Sequence, residues 1–171
     1  MTKISSSSRF INLNKFRINK EISLGASKWL DVHRHGDQEN NTRSALEKLK
    51  AQGYQVIATS PRKTDCEIHE LPIDKPIALV MGAEVDGISP EALELADGFV
   101  RIPMFGFSES YNISVAAALC CYELTKRLRA SDLDWALPQE DQNKLLFEWF
   151  TKSIKSSEQV INRFNAEQTR G

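Results

Sequence analysis

Apolar and polar positions along the chain switch between a helical and an extended period, and the switching predicts an ordered series of elements. Ala45, Leu46 and Leu49 recur at helical spacing, which predicts a helix over about residues 42–52, with Gly53 as its stop. Residues 54–59 (YQVIAT) read as a strand that ends at Ser60-Pro61. Residues 62–70 are charged and read as a connection. The short, continuously apolar run 76–81 (PIALVM), bounded by Pro and Gly, fits a strand buried on both faces.

Ser89-Pro90-Glu91 is a helix start: a capping hydroxyl, a proline suited to the first helical position, and acid in the first turn. That helix ends near Ala96, and residues 98–103 (GFVRIP) follow as a strand. Residues 114–128, rich in Ala and Leu, form a strong helix. A short stretch around Ser27–Val32 reads as a further strand or its approach. Strands and helices alternate, so the fold class is α/β, with a parallel sheet and helices on its faces. Residues 1–14, polar and Ser-rich, are expected to be poorly ordered. The body spans 15–130. From residue 131 the texture changes, and 139–164 are helical in pattern, an appended α-helical tail over 131–171.

With 171 residues, 41% apolar and 8% aromatic, the chain has enough apolar mass for a core, which excludes disordered and collagen-like classes. No apolar run reaches the length of a membrane span, and the start lacks the apolar stretch of a signal peptide. A cytoplasmic protein with no membrane partner is therefore the expectation. The net charge of −1 hides an asymmetry: residues 1–36 hold seven basic and two acidic residues, whereas 37–100 hold six basic and twelve acidic. The basic start could meet phosphates, or it could be an ordinary solvated surface. Cys66, Cys120 and Cys121 have no metal-ligand or disulfide spacing, and apolar packing is the expected role of the adjacent pair. His33, His35 and His69 give a weak metal signal, so no metal is expected.

In a parallel α/β sheet, ligands bind beyond the carboxyl ends of the strands. Three strands end in unusual loops: Thr59-Ser60-Pro61, residues 81–87 (MGAEVDG) and residues 102–112 (IPMFGFSESYN). Gly82, Gly87 and Gly106 permit close backbone approach. Main-chain groups in such loops suit an adenine ring and a ribose, although ordinary turns would look the same. The second loop is neither a P-loop nor a dinucleotide-binding fingerprint.

The stretch LVMGAEVDGISPEALELADGFVRIPMFGFSESYNISVAAALCCYEL closely resembles the SpoU branch of the SPOUT RNA methyltransferases. The matching elements are Gly82-x-Glu84-x-x-Gly87, Ala96-Asp97, Ile102-Pro103-Met104-x-Gly106 and Ser110-x-Asn112, in order and correctly spaced. Upstream, EISLGASKWLDV, SALEKLKAQG and YQVIATSP are similar to the same family, and the C-terminal stretch from Ser131 resembles the tail of the tRNA guanosine-18 2′-O-methyltransferases. The resemblance implies a C-terminal trefoil knot, an exception to the rule against knots, and a homodimer. It implies S-adenosylmethionine as cofactor, at Thr59, Ser60, Gly82, Ile102, Met104, Ser110 and Tyr111, and methyl transfer to a ribose 2′-hydroxyl of tRNA. It further implies reaction-centre roles: Asn112 holding loops or substrate, Ser110 orienting a catalytic residue or an RNA phosphate, and Glu84 tying its own loop.

Two departures stand out. Tyr111 occupies a position where the family usually has Leu. The family's first motif, an Asn–x–x–Ala–x–x–Arg helix start whose arginine activates the hydroxyl, has no match: Arg9 and Arg17 lack that context, and Arg43 begins a different helix. The reading that follows is a chain shortened or altered at its start, with residues 1–14 non-native and the sheet missing a strand. Other readings are a ribosomal RNA methyltransferase, a non-catalytic cofactor- or RNA-binding remnant, and an unrelated α/β binding domain.

Overall fold

A computed structural model describes residues 9–12, 29, 31–35, 41–60, 65–83, 86–107 and 110–168. In chain order the strands are β1 (Arg9–Asn12), β2 (Asp31–Arg34), β3 (Gln55–Thr59), β4 (Cys66–Glu67), β5 (Ile77–Val80) and β6 (Gly98–Arg101). The helices are α1 (Asn41–Ala51), α2 (Pro90–Leu95), α3 (Ile113–Arg129), α4 (Gln139–Ser153) and α5 (Ser157–Gln168).

Among the described residues the main sheet has four strands, in the order β4-β6-β3-β5, and every pairing is parallel. Its register places Gln55 opposite Ile77, Ile57 opposite Gly98, and Cys66 opposite Val100. Val56, Ile57 and Ala58 on β3 are essentially inaccessible, as expected for a central parallel strand covered on both faces. The period-2 alternation sorts the side chains into two cores. On one face Val56 packs with Leu46 and Leu49 of α1 and Ala92 of α2, flanked by Ala78 and Val80. On the other, Ile57 and Val100 pack with Ile68, Leu71 and Cys120 of α3, flanked by Ile77, Leu79, Met81, Ile102 and Leu124. The α/β class, the parallel sheet and the covering of both faces therefore agree with the sequence pattern.

Local chemistry explains the element ends. Ser89 caps α2, its Oγ accepting from Ala92 N at 3.3 Å, with Pro90 as the first helical residue. Gly53 stops α1 in a left-handed conformation at φ 87°. Asp97, just after α2, accepts from Val56 N at 2.8 Å and from Lys50 Nζ at 2.6 Å, joining α1, β3 and the start of β6. Burial alone would raise the Asp97 carboxyl, but these two hydrogen bonds outweigh it and hold the group below its usual value. Arg43 bridges the two helices of its face, within 3.4 Å of Glu91 and 3.2 Å of Glu94.

The structure corrects four expectations. Within the stretch expected to be poorly ordered, Arg9–Asn12 form a strand paired in parallel with Asp31–Arg34, as a separate two-stranded sheet. Main-chain pairing with a distant segment supplies that order, and four residues are too few to show a period. The rest of 1–14 lies outside the described residues. The charged connection contains β4, held by main-chain bonds from Asp65 N to Phe99 O and from Ile68 N to Arg101 O, both 2.9 Å. The single helical pattern of the tail is two helices, broken before Ser157 by Ser156 at φ 63°. Of the cysteine pair only Cys120 is buried, and burial pushes its thiol up to about 11; Cys121 is exposed, because adjacent helical positions point in different directions.

Candidate functional site

All four strands of the main sheet run the same way, so the carboxyl ends of β6, β3 and β5 share one edge. Thr59 and Ser60, at the end of the central strand β3, join the other two strand ends. The Thr59 hydroxyl donates to Val80 O at 3.1 Å, at the end of β5. Ser60 N donates to Val100 O at 2.9 Å, on β6. Three loops that are distant in sequence therefore leave the sheet from one braced edge.

The β5 loop opens with Met81, packed against the core beneath α3, and Gly82. Ala83 and Gly87 exchange two main-chain hydrogen bonds of 2.9 Å, and Gly87 sits at φ 69°. The turn folds back so closely that a Cβ on Gly82 would lie 2.3 Å from the Gly87 carbonyl carbon. Glycine is required there by space. Glu84, within the same loop, lies outside the described residues.

The β6 loop begins with Ile102 and Met104, both half-buried, Ile102 resting on the same core as Met81. Phe105 and Phe107 then project fully, flanking Gly106 at φ 113°. Ser110, Tyr111 and Asn112 lead into α3. Asn112 is the N-cap: its Oδ1 accepts from Ser114 N at 2.9 Å, and its carbonyl accepts from Ala116 N. The Tyr111 hydroxyl donates to Pro103 O at 3.3 Å and ties the end of the loop to its start. The sequence pattern carried no signal for this contact or for the two projecting phenylalanines.

Eight of the nine sequence-derived site positions fall in the described residues of these loops, and Glu84 is the ninth. None of the eight carries a charged side chain. The edge offers main-chain N–H and C=O groups, hydroxyls and small apolar surfaces, a donor set suited to a neutral heterocycle and a ribose rather than a phosphate or a metal ion. Arg43, the cation that begins α1, is engaged with Glu47, Glu91 and Glu94. Arg17 lies outside the described residues, as does the side chain of Arg9.

Comparison with known proteins places this architecture. The model of the SpoU rRNA methylase family matches residues 6–122, a stretch that includes β1 and all three loops. A tRNA (guanosine(18)-2′-O)-methyltransferase of Borreliella burgdorferi is 35% identical over 153 residues, covering 90% of this chain and 68% of that protein. The crystal structure of the A. aeolicus TrmH/SpoU tRNA modifying enzyme aligns over 86% of this chain and 75% of that one, with a TM-score of 0.65 and 30% identity. A SpoU methyltransferase of Streptomyces viridochromogenes, solved in complex with AdoMet, shares the fold at a TM-score of 0.62 and 23% identity, over 74% of this chain and 52% of that one. The chain spans about two thirds of the length of the curated relatives it matches.

Proposed function

The chain belongs to the SpoU rRNA methylase family, and from that membership we propose that it is an S-adenosylmethionine-dependent methyltransferase acting on a ribose 2′-hydroxyl of tRNA. The observation that carries the reading is the braced edge, where Thr59 and Ser60 bind the ends of β5 and β6 into one platform. The relatives named for guanosine 18 favour tRNA and a D-loop guanosine over ribosomal RNA, because they match more of this chain: 90% for the Borreliella enzyme against 64% for a 23S rRNA enzyme.

Thr59, Ser60, Gly82, Ile102, Met104, Ser110 and Tyr111 hold the cofactor, largely through main-chain groups. When bound, the cofactor supplies a methyl group already activated by its sulfonium. The remaining tasks belong to the chain: to hold the ribose oxygen in line with that methyl, to exclude water, and to let the hydroxyl proton leave. Asn112 fixes the entry to α3, and with it the loop that carries Ser110. Ser110 orients the reacting groups or an RNA phosphate, and Glu84 braces its own loop.

The remaining family features are part of the same proposal. A trefoil knot is supported by the position of β6, last of the strands in sequence yet placed inside the sheet between β3 and β4. A homodimer is supported by an apolar stripe on α3, where Val115, Leu119 and Tyr122 are exposed at helical spacing among the described residues. A cytoplasmic location follows from the tRNA substrate; no helix among the described residues is long and apolar enough to cross a membrane.

The test is calorimetric titration with S-adenosylmethionine, followed by methylation of a bulk tRNA pool with labelled cofactor and mapping of the modified ribose. Binding, with label on one D-loop guanosine, is the expected result. No binding at millimolar cofactor overturns the cofactor assignment, and label on ribosomal RNA alone moves the substrate.

A further inference from the structure

We infer that the Tyr111 hydroxyl is a clasp that sets the shape of the β6 loop for the cofactor, making Tyr111 a positioning residue that acts through Pro103. The inference rests on the cofactor reading above and concerns a side chain where the family's usual Leu has no hydrogen-bonding atom.

Tyr111 donates to the carbonyl of Pro103 at 3.3 Å. Pro103 stands between Ile102 and Met104, the two β6-loop positions assigned to the cofactor. Its own ring fixes φ, so the direction of its carbonyl is set mainly by one torsion, which the phenol restrains. On the other side, Tyr111 adjoins Asn112, whose side chain caps α3 through Ser114 N at 2.9 Å. The clasp thus links a capped helix start to the first residues beyond β6. The loop between them carries Phe105 and Phe107, 97% and 108% exposed, with Gly106 at φ 113°. Neither phenylalanine packs on the body, so neither can hold the loop. Pre-forming this stretch lowers the ordering cost of binding.

A single neutral hydrogen bond of this kind changes an equilibrium by roughly two- to tenfold. Tyr111→Phe removes only the hydroxyl, and Tyr111→Leu restores the family's usual residue. In calorimetric titration of the full chain with S-adenosylmethionine, both variants should bind roughly two- to tenfold more weakly than wild type. The KM for cofactor should rise by more than kcat falls. An independent readout needs no ligand: chymotrypsin cuts after phenylalanine, and cleavage after Phe105 and Phe107, followed by mass spectrometry, should run faster by a similar factor in Tyr111→Phe. Wild-type binding with equal affinities in the variants, or equal cleavage rates, overturns the clasp and leaves the cofactor reading standing. Failure of the wild-type chain itself to bind at millimolar cofactor overturns both.

Discussion

Two residues at the braced edge combine local geometry with proposed chemistry, and both can be tested alone. Gly82 faces the Gly87 carbonyl carbon across a gap that a Cβ would reduce to 2.3 Å. The obstacle is backbone and cannot rotate aside. Gly82→Ala should therefore destabilise the fold by about 1–3 kcal/mol, as overpacking does, and weaken cofactor binding in calorimetry. An alanine variant with wild-type melting and affinity would show that the loop opens freely. Asn112 caps α3 through Ser114 N at 2.9 Å. Asn112→Ala should cost about 1 kcal/mol in thermal or denaturant unfolding, the usual worth of a cap, and lower methyl transfer to tRNA. Asn112→Asp retains the capping oxygen, so it should recover the stability. If transfer recovers with it, the role of Asn112 is to hold the loop; transfer that stays low points to contact with the substrate.

At the scale of elements, the joints between helices and sheet are polar and sensitive to pH. Asp97 links Lys50 of α1 to the main chain of β3, and its carboxyl is held below the ordinary value of 3.8. A depressed acid stabilises the fold above its unfolded pKa and loses that contribution as pH falls through the folded value. Unfolding followed against pH should show stability dropping below about pH 4, and Asp97→Asn should flatten part of that drop. An unchanged acid limb would remove Asp97 from the account. Helices α1, α2 and α3 and the strands β3, β5 and β6 were legible from period and punctuation, because their buried faces are written in the spacing of Leu46 and Leu49, in VIA of β3 and in the Ser89-Pro90 start. Strand β4 was not legible: its two residues join the sheet through main-chain bonds to β6, which any side chain can make. The break at Ser156 was also hidden, since a left-handed serine leaves no mark in an amphipathic pattern that resumes on its far side.

At the scale of the whole molecule, the apolar surface exposed among the described residues is concentrated in two places. One is the stripe of α3 with its preceding loop; the other is the tail, where Phe147, Phe150, Ile154 and Val160 line a cleft of about 110 Å³. Trp149 of α4 meets Trp29 edge to face, with ring centroids 5.5 Å apart, so the tail is tied back near β2. If two copies pair through α3, sedimentation should give a dimer, and Leu119→Glu should shift it to monomer, because a buried unpaired carboxylate costs more than a single side-chain contact supplies. A dimer that persists in Leu119→Glu would place the interface elsewhere.

The α/β class, the two-faced core and the three loops that leave the sheet follow from the order of amino acids, because burial period, capping residues and glycine positions act locally and are written residue by residue. The sequence also carried the family, through the ordered spacing of Gly82, Glu84, Gly87, Ile102, Met104, Ser110 and Asn112. The folded arrangement was needed to see that Thr59 and Ser60 brace the three loops together, that β6 lies between β3 and β4, and that the Tyr111 hydroxyl reaches the Pro103 carbonyl. Those contacts join groups far apart in the chain, mostly through main-chain atoms common to all residues, so they become visible only when the strands are placed side by side.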